Sequence, residues 1–195
     1  YLFTFSVRLM TLNDTIYTSL DSWGDHPVFI LSKDRDNRET ISAGQFRTRI
    51  SELTDSLRAA GVGRNVAVPM FLDNSWNMPA AFLAIRELEG IPVLVKKAWR
   101  RLELEHVFSR LEPSVILCDR EGLSLLGDYL EDRTVLVLND DGTISTERRG
   151  IIRPTEVPEG TVSINYTYRG HGYPLGAMVG SKAYIDAAER YQSYV

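Results

Sequence analysis

The stretch "NVAVPMFLDNSWNMPAAFLAIRELEGIPVLV", residues 65–95, decides the fold. It opens with the apolar run "NVAVPMFL" and closes with the apolar run "IPVLV", and short runs of this kind are typical of buried strands. Between them, the Asp-Asn-Ser sequence at 73–75 offers side chains that cap a helix, which we predict to run through Leu88 and to end at Gly90. A strand, a helix and a second apolar strand in this order predict parallel strands with the helix packed against them.

The rest of the chain repeats this alternation. The helix predicted from Ala43 to Ala60 is the clearest, because Phe46, Ile50 and Leu53 recur at steps of four and three residues. The other predicted elements are helices at 11–23 (capped by Asn13 or Asp14), 104–111 and 123–130, strands "SVILC" and "TVLVL", a hairpin partner "GTISTE", and two strands around a polar turn at 34–38. We therefore predict an α/β fold, a doubly wound, mostly parallel sheet with helices on both faces. Ligands of such sheets bind beyond the carboxyl ends of the strands.

Composition excludes several classes of protein. The chain has 195 residues, 44% of them hydrophobic and 25% charged, which is ordinary for a soluble globular domain. Its net charge of -4 and the lack of a long basic stripe argue against a nucleic-acid-binding protein. No apolar run approaches the roughly 18 residues of a membrane span. The single cysteine, Cys118, lies in the apolar run "SVILCD", which favours a buried thiol and a reducing, cytoplasmic compartment.

A second stretch, "SINYTYRGHGYPLGAMVG" at residues 163–180, is the candidate functional segment. A β-rich run leads into a loop with three glycines, and a helical pattern begins near Ser181. A strand, a glycine loop and a helix in this order form the phosphate sites of many proteins. Yet Leu175, and not a lysine, precedes Gly176. From its residues alone, the segment can be a nucleotide site, a modified nucleotide site or a simple turn.

Other motifs carry less information. The Gly61-x-Gly63 pair follows a helix and precedes a strand, the reverse of a dinucleotide-binding fingerprint, so it indicates a helix end and a turn. The three histidines are scattered and the cysteine is isolated, so no metal site is predicted. Four cationic residues within 96–101 surround Trp99, and they could attract an anionic substrate or form a solvated loop.

The order of elements resembles the N-terminal region of the adenylate-forming superfamily, which includes acyl-CoA synthetases, luciferases and peptide-synthetase adenylation domains. The resemblance lies in a helix that ends in "L…GV" before a strand, followed by Asn74, the "AFLA" run at 81–84, Gly90 and "PV" at 92–93. The stretch "RLELEHVFSRLEPSVILCD" resembles the next helix and strand of that superfamily. The resemblance covers about residues 20–190 and implies the same doubly wound fold.

On this resemblance, the candidate segment falls where the family has a phosphate loop of the form Tyr-Thr-Ser-Gly-Thr-Thr-Gly-x-Pro-Lys-Gly. The residues that match are Tyr166, Thr167, Gly172, Pro174 and Gly176. The residues that depart from it are Tyr168, Arg169, Gly170, His171 and Leu175, which replace its serine, a glycine, two threonines and the lysine. The nucleotide-binding residues implied by the resemblance are Thr167, Tyr168, Arg169, Gly170, His171, Gly172 and Gly176. Either Arg169 and His171 bind phosphate in an altered loop, or the loop is degenerate.

The resemblance implies a ligase that activates a small carboxylic acid with ATP and Mg²⁺ and passes the acyl group to coenzyme A. We predict that residues 1–10 are a leader or residues added to the natural chain, and the resemblance assigns 11–195 to the N-terminal part of an adenylating domain, whose later parts lie outside this sequence. On this interpretation the chain is inactive by itself, and it exposes an apolar face through which it can form a homo-oligomer. The alternative is a non-catalytic α/β scaffold or binding module with a degenerate nucleotide loop.

Overall fold

The computed structural model describes residues 11–32, 38–167 and 172–192. The helices are α1 (Leu12–Trp23), α2 (Ala43–Ala59), α3 (Asn77–Glu87), α4 (Arg101–Leu111), α5 (Arg120–Leu126) and α6 (Ser181–Gln192). The strands are β1 (Pro27–Ser32), β2 (Arg38–Ser42), β3 (Ala67–Phe71), β4 (Ile91–Leu94), β5 (Val115–Cys118), β6 (Thr134–Leu138), β7 (Ile144–Arg148), β8 (Thr161–Thr167) and β9 (Leu175–Gly180). The predicted turn at 34–38 falls almost wholly outside the described ranges.

Seven strands form one sheet in the order β7-β6-β5-β3-β4-β8-β9. The five inner strands are parallel, and β7 and β9 pair antiparallel with β6 and β8 at the two edges. Strands β1 and β2 form a separate antiparallel hairpin. The predicted α/β, doubly wound and mostly parallel sheet is therefore confirmed.

Helices cover both faces of this sheet because the side chains of the inner strands alternate between two hydrophobic clusters. Along β3, Val68 and Met70 join the cluster that contains α2 and α3, whereas Ala67 and Phe71 join the cluster that contains α4. A strand that is buried on both faces must be apolar throughout, which explains the continuous apolar runs of the sequence. The predicted apolar faces of α2 and α4 are the buried ones.

Two helix starts differ from the sequence prediction. Helix α1 is capped by Thr11, whose hydroxyl accepts the backbone N–H of Asp14 at 3.1 Å, and not by Asn13 or Asp14. The amide of Asn13 is buried and donates to the Leu83 carbonyl oxygen at 3.2 Å. Helix α3 begins at Asn77 without a side-chain cap, so the Asp-Asn-Ser sequence at 73–75 does not serve as its N-cap. Each stretch contains several residue types that favour N-caps, and tertiary contacts decide whether any of them is used.

The candidate segment is also built differently from a strand, a loop and a helix. Strand β9 lies between the glycine loop and α6, so the loop closes an antiparallel β-hairpin. Helix α6 begins at Ser181, as predicted. Within the described ranges, no helix is long and apolar enough to cross a bilayer.

Cys118 is fully buried in β5, which confirms the predicted buried thiol. Burial raises the pKa of this thiol to about 12, and the nearby Asp119 carboxylate adds to the shift. A thiol with so high a pKa stays protonated at neutral pH, and it is therefore a poor nucleophile.

Candidate functional site

The carboxyl ends of the parallel strands meet at one edge of the sheet, and the chemistry-bearing residues collect there. Asp73 follows β3, Lys97 follows β4 and Asp119 follows β5. The loop between β8 and β9, which contains the candidate nucleotide residues, leaves the same edge. This edge is where doubly wound sheets bind their ligands.

The stems of the candidate loop are fixed by the register of the hairpin. Thr167 pairs with Leu175, and Tyr166 pairs with Gly176. The loop therefore spans residues 168–174. Of the seven predicted nucleotide-binding residues, Thr167, Gly172 and Gly176 are described, and the ones that lie outside the described residues are Tyr168, Arg169, Gly170 and His171.

The two described glycines serve different purposes. Gly172 is exposed and has a φ of +81°, a conformation that side chains with a Cβ adopt at a cost. Gly176 has no positive φ; it is required because the Tyr166 ring lies across it. A Cβ on Gly176 would lie 3.0 Å from the Tyr166 Cζ atom and 3.1 Å from its Cε1 atom. Such a cross-strand pair of glycine and aromatic residue also fixes the register of the hairpin.

Thr167 and Leu175 are the paired strand residues at which the loop begins and ends, and both are exposed. Thr167 is exposed at the end of β8, so its hydroxyl is available to an incoming ligand. Leu175 takes the place that the resemblance gives to a lysine, and its side chain is 65% exposed. An exposed aliphatic side chain at this position supplies no charge to an anion. Any cation that the loop itself contributes must therefore come from another residue.

Aromatic contacts hold the first stem and the end of the loop against α4 and the segment before it. The rings of Trp99 and Tyr166 meet edge to face with centroids 6.0 Å apart. The rings of His106 and Tyr173 stack at 4.6 Å with an interplanar angle of 9°. Burial raises the pKa of the Tyr166 hydroxyl, and the positive charge of Arg110 opposes that shift in part.

Lys97 lies at the centre of an ion-pair network at the same edge. Its ammonium nitrogen is 2.7 Å from Asp73 Oδ1, 2.9 Å from Asp119 Oδ2 and 2.6 Å from Glu121 Oε2. Burial would lower the pKa of this ammonium group, but the hydrogen bonds that it donates to the three carboxylates raise the pKa above its usual range. Since Lys97 is engaged in this way, the four cationic residues at 96–101 do not act as one free cationic surface.

On the opposite face of β8, a polar cluster ties the strand to α6. The hydroxyls of Ser163 and Tyr184 are 2.7 Å apart, and the amide of Asn165 donates to the Tyr184 oxygen at 3.2 Å. Phe82 of α3 packs edge to face on the Tyr184 ring at 5.8 Å. The helix that follows the hairpin is thus positioned by hydroxyl and amide groups.

Sequence reasoning missed the roles of Lys97, Trp99 and His106. A signal for Lys97 was present, because oppositely charged residues follow three apolar strands that were predicted to lie in one mostly parallel sheet. The ring pairs have no signal in the sequence, since Trp99 and Tyr166 are far apart along it. In the part of the chain that the structure describes, no three His, Cys, Asp or Glu side chains are arranged to hold a metal ion.

Comparisons with known proteins give a consistent result. A family model described as "AMP-binding enzyme" matches residues 17–192. The acyl-CoA ligase ppsA from Aspergillus oryzae is 31% identical over 85 residues, which are 44% of this chain and 15% of that protein. The structure of CmiS6 superimposes with a TM-score of 0.77 at 17% identity, covering 96% of this chain and 45% of that one. ATP-bound MatB from Rhodopseudomonas palustris superimposes with a TM-score of 0.65 at 21% identity, covering 92% of this chain and 37% of that one.

The chain is much shorter than the proteins it matches. It spans 15% of the length of ppsA, 8% of the nonribosomal peptide synthetase otaB from Aspergillus carbonarius and 1% of the FR901469 synthetase from a Dothideomycetidae species. At identities of 17% and 21%, the likeness to the solved structures shows the fold.

Proposed function

Because the chain belongs to the AMP-binding enzyme family, within the adenylate-forming superfamily, we propose that the protein activates a small carboxylic acid with ATP as an acyl-adenylate. The observation that carries this proposal is the glycine hairpin loop at the carboxyl edge of the sheet. Gly172 has a left-handed conformation, and no described atom lies within 4 Å of the position that a Cβ would take there, so the backbone at Gly172 is uncovered by side chains. An uncovered backbone offers its N–H groups to phosphate oxygens.

The residues of the loop would hold the triphosphate. The Thr167 hydroxyl, exposed at the end of β8, donates a hydrogen bond to a phosphate oxygen. We assign Arg169 and His171 to the part that a lysine and hydroxyls play in related loops, because a guanidinium group can hold two phosphate oxygens at once. ATP supplies the adenylyl group and the pyrophosphate leaving group. Donors placed around that leaving group stabilise the negative charge that develops on it.

Mg²⁺ and coenzyme A belong to the same proposal. The described residues offer no cluster of metal ligands, so Mg²⁺ would enter with the triphosphate and be held mainly by its oxygens. Coenzyme A would accept the acyl group in a second step, as the name of the acyl-CoA ligase relative suggests. We further propose a cytoplasmic location, because ATP and coenzyme A are available there.

A second candidate function rests on Leu175. An exposed leucine where a phosphate-binding cation is expected favours a non-catalytic α/β scaffold whose loop no longer binds nucleotide. The two functions differ in whether ATP binds at all.

The experiment is acid-dependent exchange of pyrophosphate into ATP by the full-length protein, with a panel of aliphatic, aromatic and amino acids. The adenylation proposal predicts exchange that depends on both Mg²⁺ and one class of acid. Adding coenzyme A should then consume the acid and yield a thioester. Absence of exchange with every acid, together with no binding of Mg-ATP in calorimetry, supports the scaffold instead.

We propose that residues 1–195 by themselves do not complete the reaction, because the chain covers 45% or less of the two solved structures described above. This chain should bind Mg-ATP weakly, and a Kd near 1 μM, or about -8 kcal/mol, would contradict the proposal. Met178 on β9 and Tyr191 on α6 are exposed apolar side chains, and self-association through exposed apolar surface of this kind is expected. Light scattering that shows a monomer at high concentration would argue against it.

A further inference from the structure

A chain of contacts connects Lys97 to the hairpin formed by β8 and β9. We propose that Lys97 is a positioning residue for this hairpin, acting through Trp99 and Tyr166. The inference rests on the proposed function, because it takes the loop that the hairpin carries to be the nucleotide site. Its three links are the ion-pair network, the ring pair of Trp99 and Tyr166, and the stacked pair of His106 and Tyr173.

The first link fixes the segment after β4. The Lys97 side chain is 13% exposed and binds three carboxylates at 2.6–2.9 Å. Asp119 is itself immobilised, because its Oδ2 atom accepts the Asp73 backbone N–H at 2.8 Å and its Oδ1 atom accepts the Gly122 N–H at 2.7 Å. The segment that carries Lys97 is therefore tied to the ends of both β3 and β5. Without the ammonium group, three carboxylates would face one another and separate.

The second link passes from this segment to the first stem of the loop. Trp99 lies two residues after Lys97, and its backbone N–H donates to the Lys96 carbonyl oxygen at 3.1 Å. A tight turn of this kind transmits the position of Lys97 to the indole ring. That ring meets Tyr166 edge to face, and Tyr166 in turn covers Gly176 across the hairpin. A displacement of the indole ring removes the support on which the Tyr166 ring rests.

The third link reaches the end of the loop. Helix α4 begins at Arg101, directly after the same segment, and its His106 stacks on Tyr173. Tyr166 lies in β8 before the loop, and Tyr173 lies two residues before the start of β9. Residues 97–106 thus contact the hairpin on both sides, and we infer that their position affects the position of β8 and β9.

The test uses the full-length protein and three variants. Lys97→Met removes the ammonium group at the centre of the ion-pair network with little change in side-chain length, and Lys97→Arg keeps the positive charge. Lys96→Met is the matched control, since Lys96 is exposed and adjacent. The readouts are KM for ATP and kcat in the pyrophosphate exchange assay, and amide hydrogen exchange over β9 compared with β6.

Lys97→Met should raise KM for ATP by about tenfold, since misplacement of a binding group by about 1 Å can cost up to about 100-fold. In the Lys97→Met variant, amide hydrogen exchange should become faster in β9 and stay unchanged in β6. Lys97→Arg should restore most of both properties, and Lys96→Met should match the parent. If Lys97→Met does not fold, His106→Ala breaks the third link alone and should raise KM by a smaller factor.

Equal KM values and equal β9 exchange in Lys97→Met and Lys96→Met would overturn the inference. Faster exchange throughout the sheet would also overturn it, because that result describes a general loss of stability. If the parent shows no pyrophosphate exchange with any acid, the proposed function fails. The hydrogen exchange of β9 in Lys97→Met and Lys96→Met then decides whether Lys97 positions the hairpin.

Discussion

Replacing Gly176 by alanine tests why the loop needs this glycine. The new methyl group would lie 3.0 Å from the Tyr166 Cζ atom and 3.3 Å from the Ile164 Cγ2 atom, and both belong to side chains that can move. Overpacking of this kind costs about 1–3 kcal/mol. Alanine recovers about 0.5–1 kcal/mol, because glycine is unfavourable inside a strand. We therefore expect a net loss of about 1 kcal/mol, measured by urea unfolding followed by circular dichroism.

A double-mutant cycle with Tyr166→Leu makes this prediction specific. If the Tyr166 ring causes the loss, Gly176→Ala should cost little in the Tyr166→Leu background. Gly63→Ala is the control, because a Cβ at Gly63 meets no described atom within 4 Å and should change stability by less than about 0.5 kcal/mol. An equal loss in both backgrounds would refute the steric explanation. In the full-length protein, the displaced ring should also raise KM for ATP.

The remaining predictions concern charge. Leu175→Lys should tighten Mg-ATP binding about tenfold or more in calorimetry, since a hydrogen bond to a charged group contributes about 1.5–3 kcal/mol. The control Met178→Lys places the same charge on the other face of β9 and should leave the affinity for Mg-ATP unchanged. An equal gain in affinity in both variants would indicate non-specific attraction. Arg169→Ala should weaken Mg-ATP binding by about ten- to 100-fold, with partial recovery in Arg169→Lys; unchanged affinity would mark the loop as degenerate. The pKa of the buried Cys118 thiol is raised to about 12. The free energy of unfolding should therefore fall as pH rises above about 8.5, where the thiol of the unfolded chain ionises. Cys118→Ala should lack this decline, and the same dependence of stability on pH in both proteins would contradict burial as the cause.

Much of the fold could be predicted because burial determines the sequence pattern. Strands β3, β4 and β5 are apolar at every position since helices cover both of their faces, and α2 and α4 keep their apolar residues on one side. Strand β9 could not be predicted, because an edge strand with Gly176 and Gly180 inside it has neither a continuous nor an alternating apolar pattern. The start of α1 was misassigned since Thr11, Asn13 and Asp14 are all good capping residues.

The resemblance identified the candidate segment, but the contacts that support it were not predicted. Thr167 and Gly176 lie on the two strands of one hairpin, where the sequence predicted a strand, a loop and a helix, and nucleotide binding by these residues stays a prediction. The contacts that hold the loop are long-range: Lys97 binds carboxylates 22 and 24 residues away. Local periodicity contains no information about such pairs, whose partners are set by the order of strands in the sheet.

The most direct test of the central claim, that the β8–β9 loop is the nucleotide site, is hydrogen–deuterium exchange of the full-length protein with and without Mg-ATP. The account predicts slower exchange in peptides that cover residues 163–180, because phosphate oxygens would accept hydrogen bonds from the N–H groups of the loop. Peptides from the separate β1–β2 hairpin should be unaffected. Protection that is confined to other regions while Mg-ATP is bound, with residues 163–180 unchanged, would contradict the account.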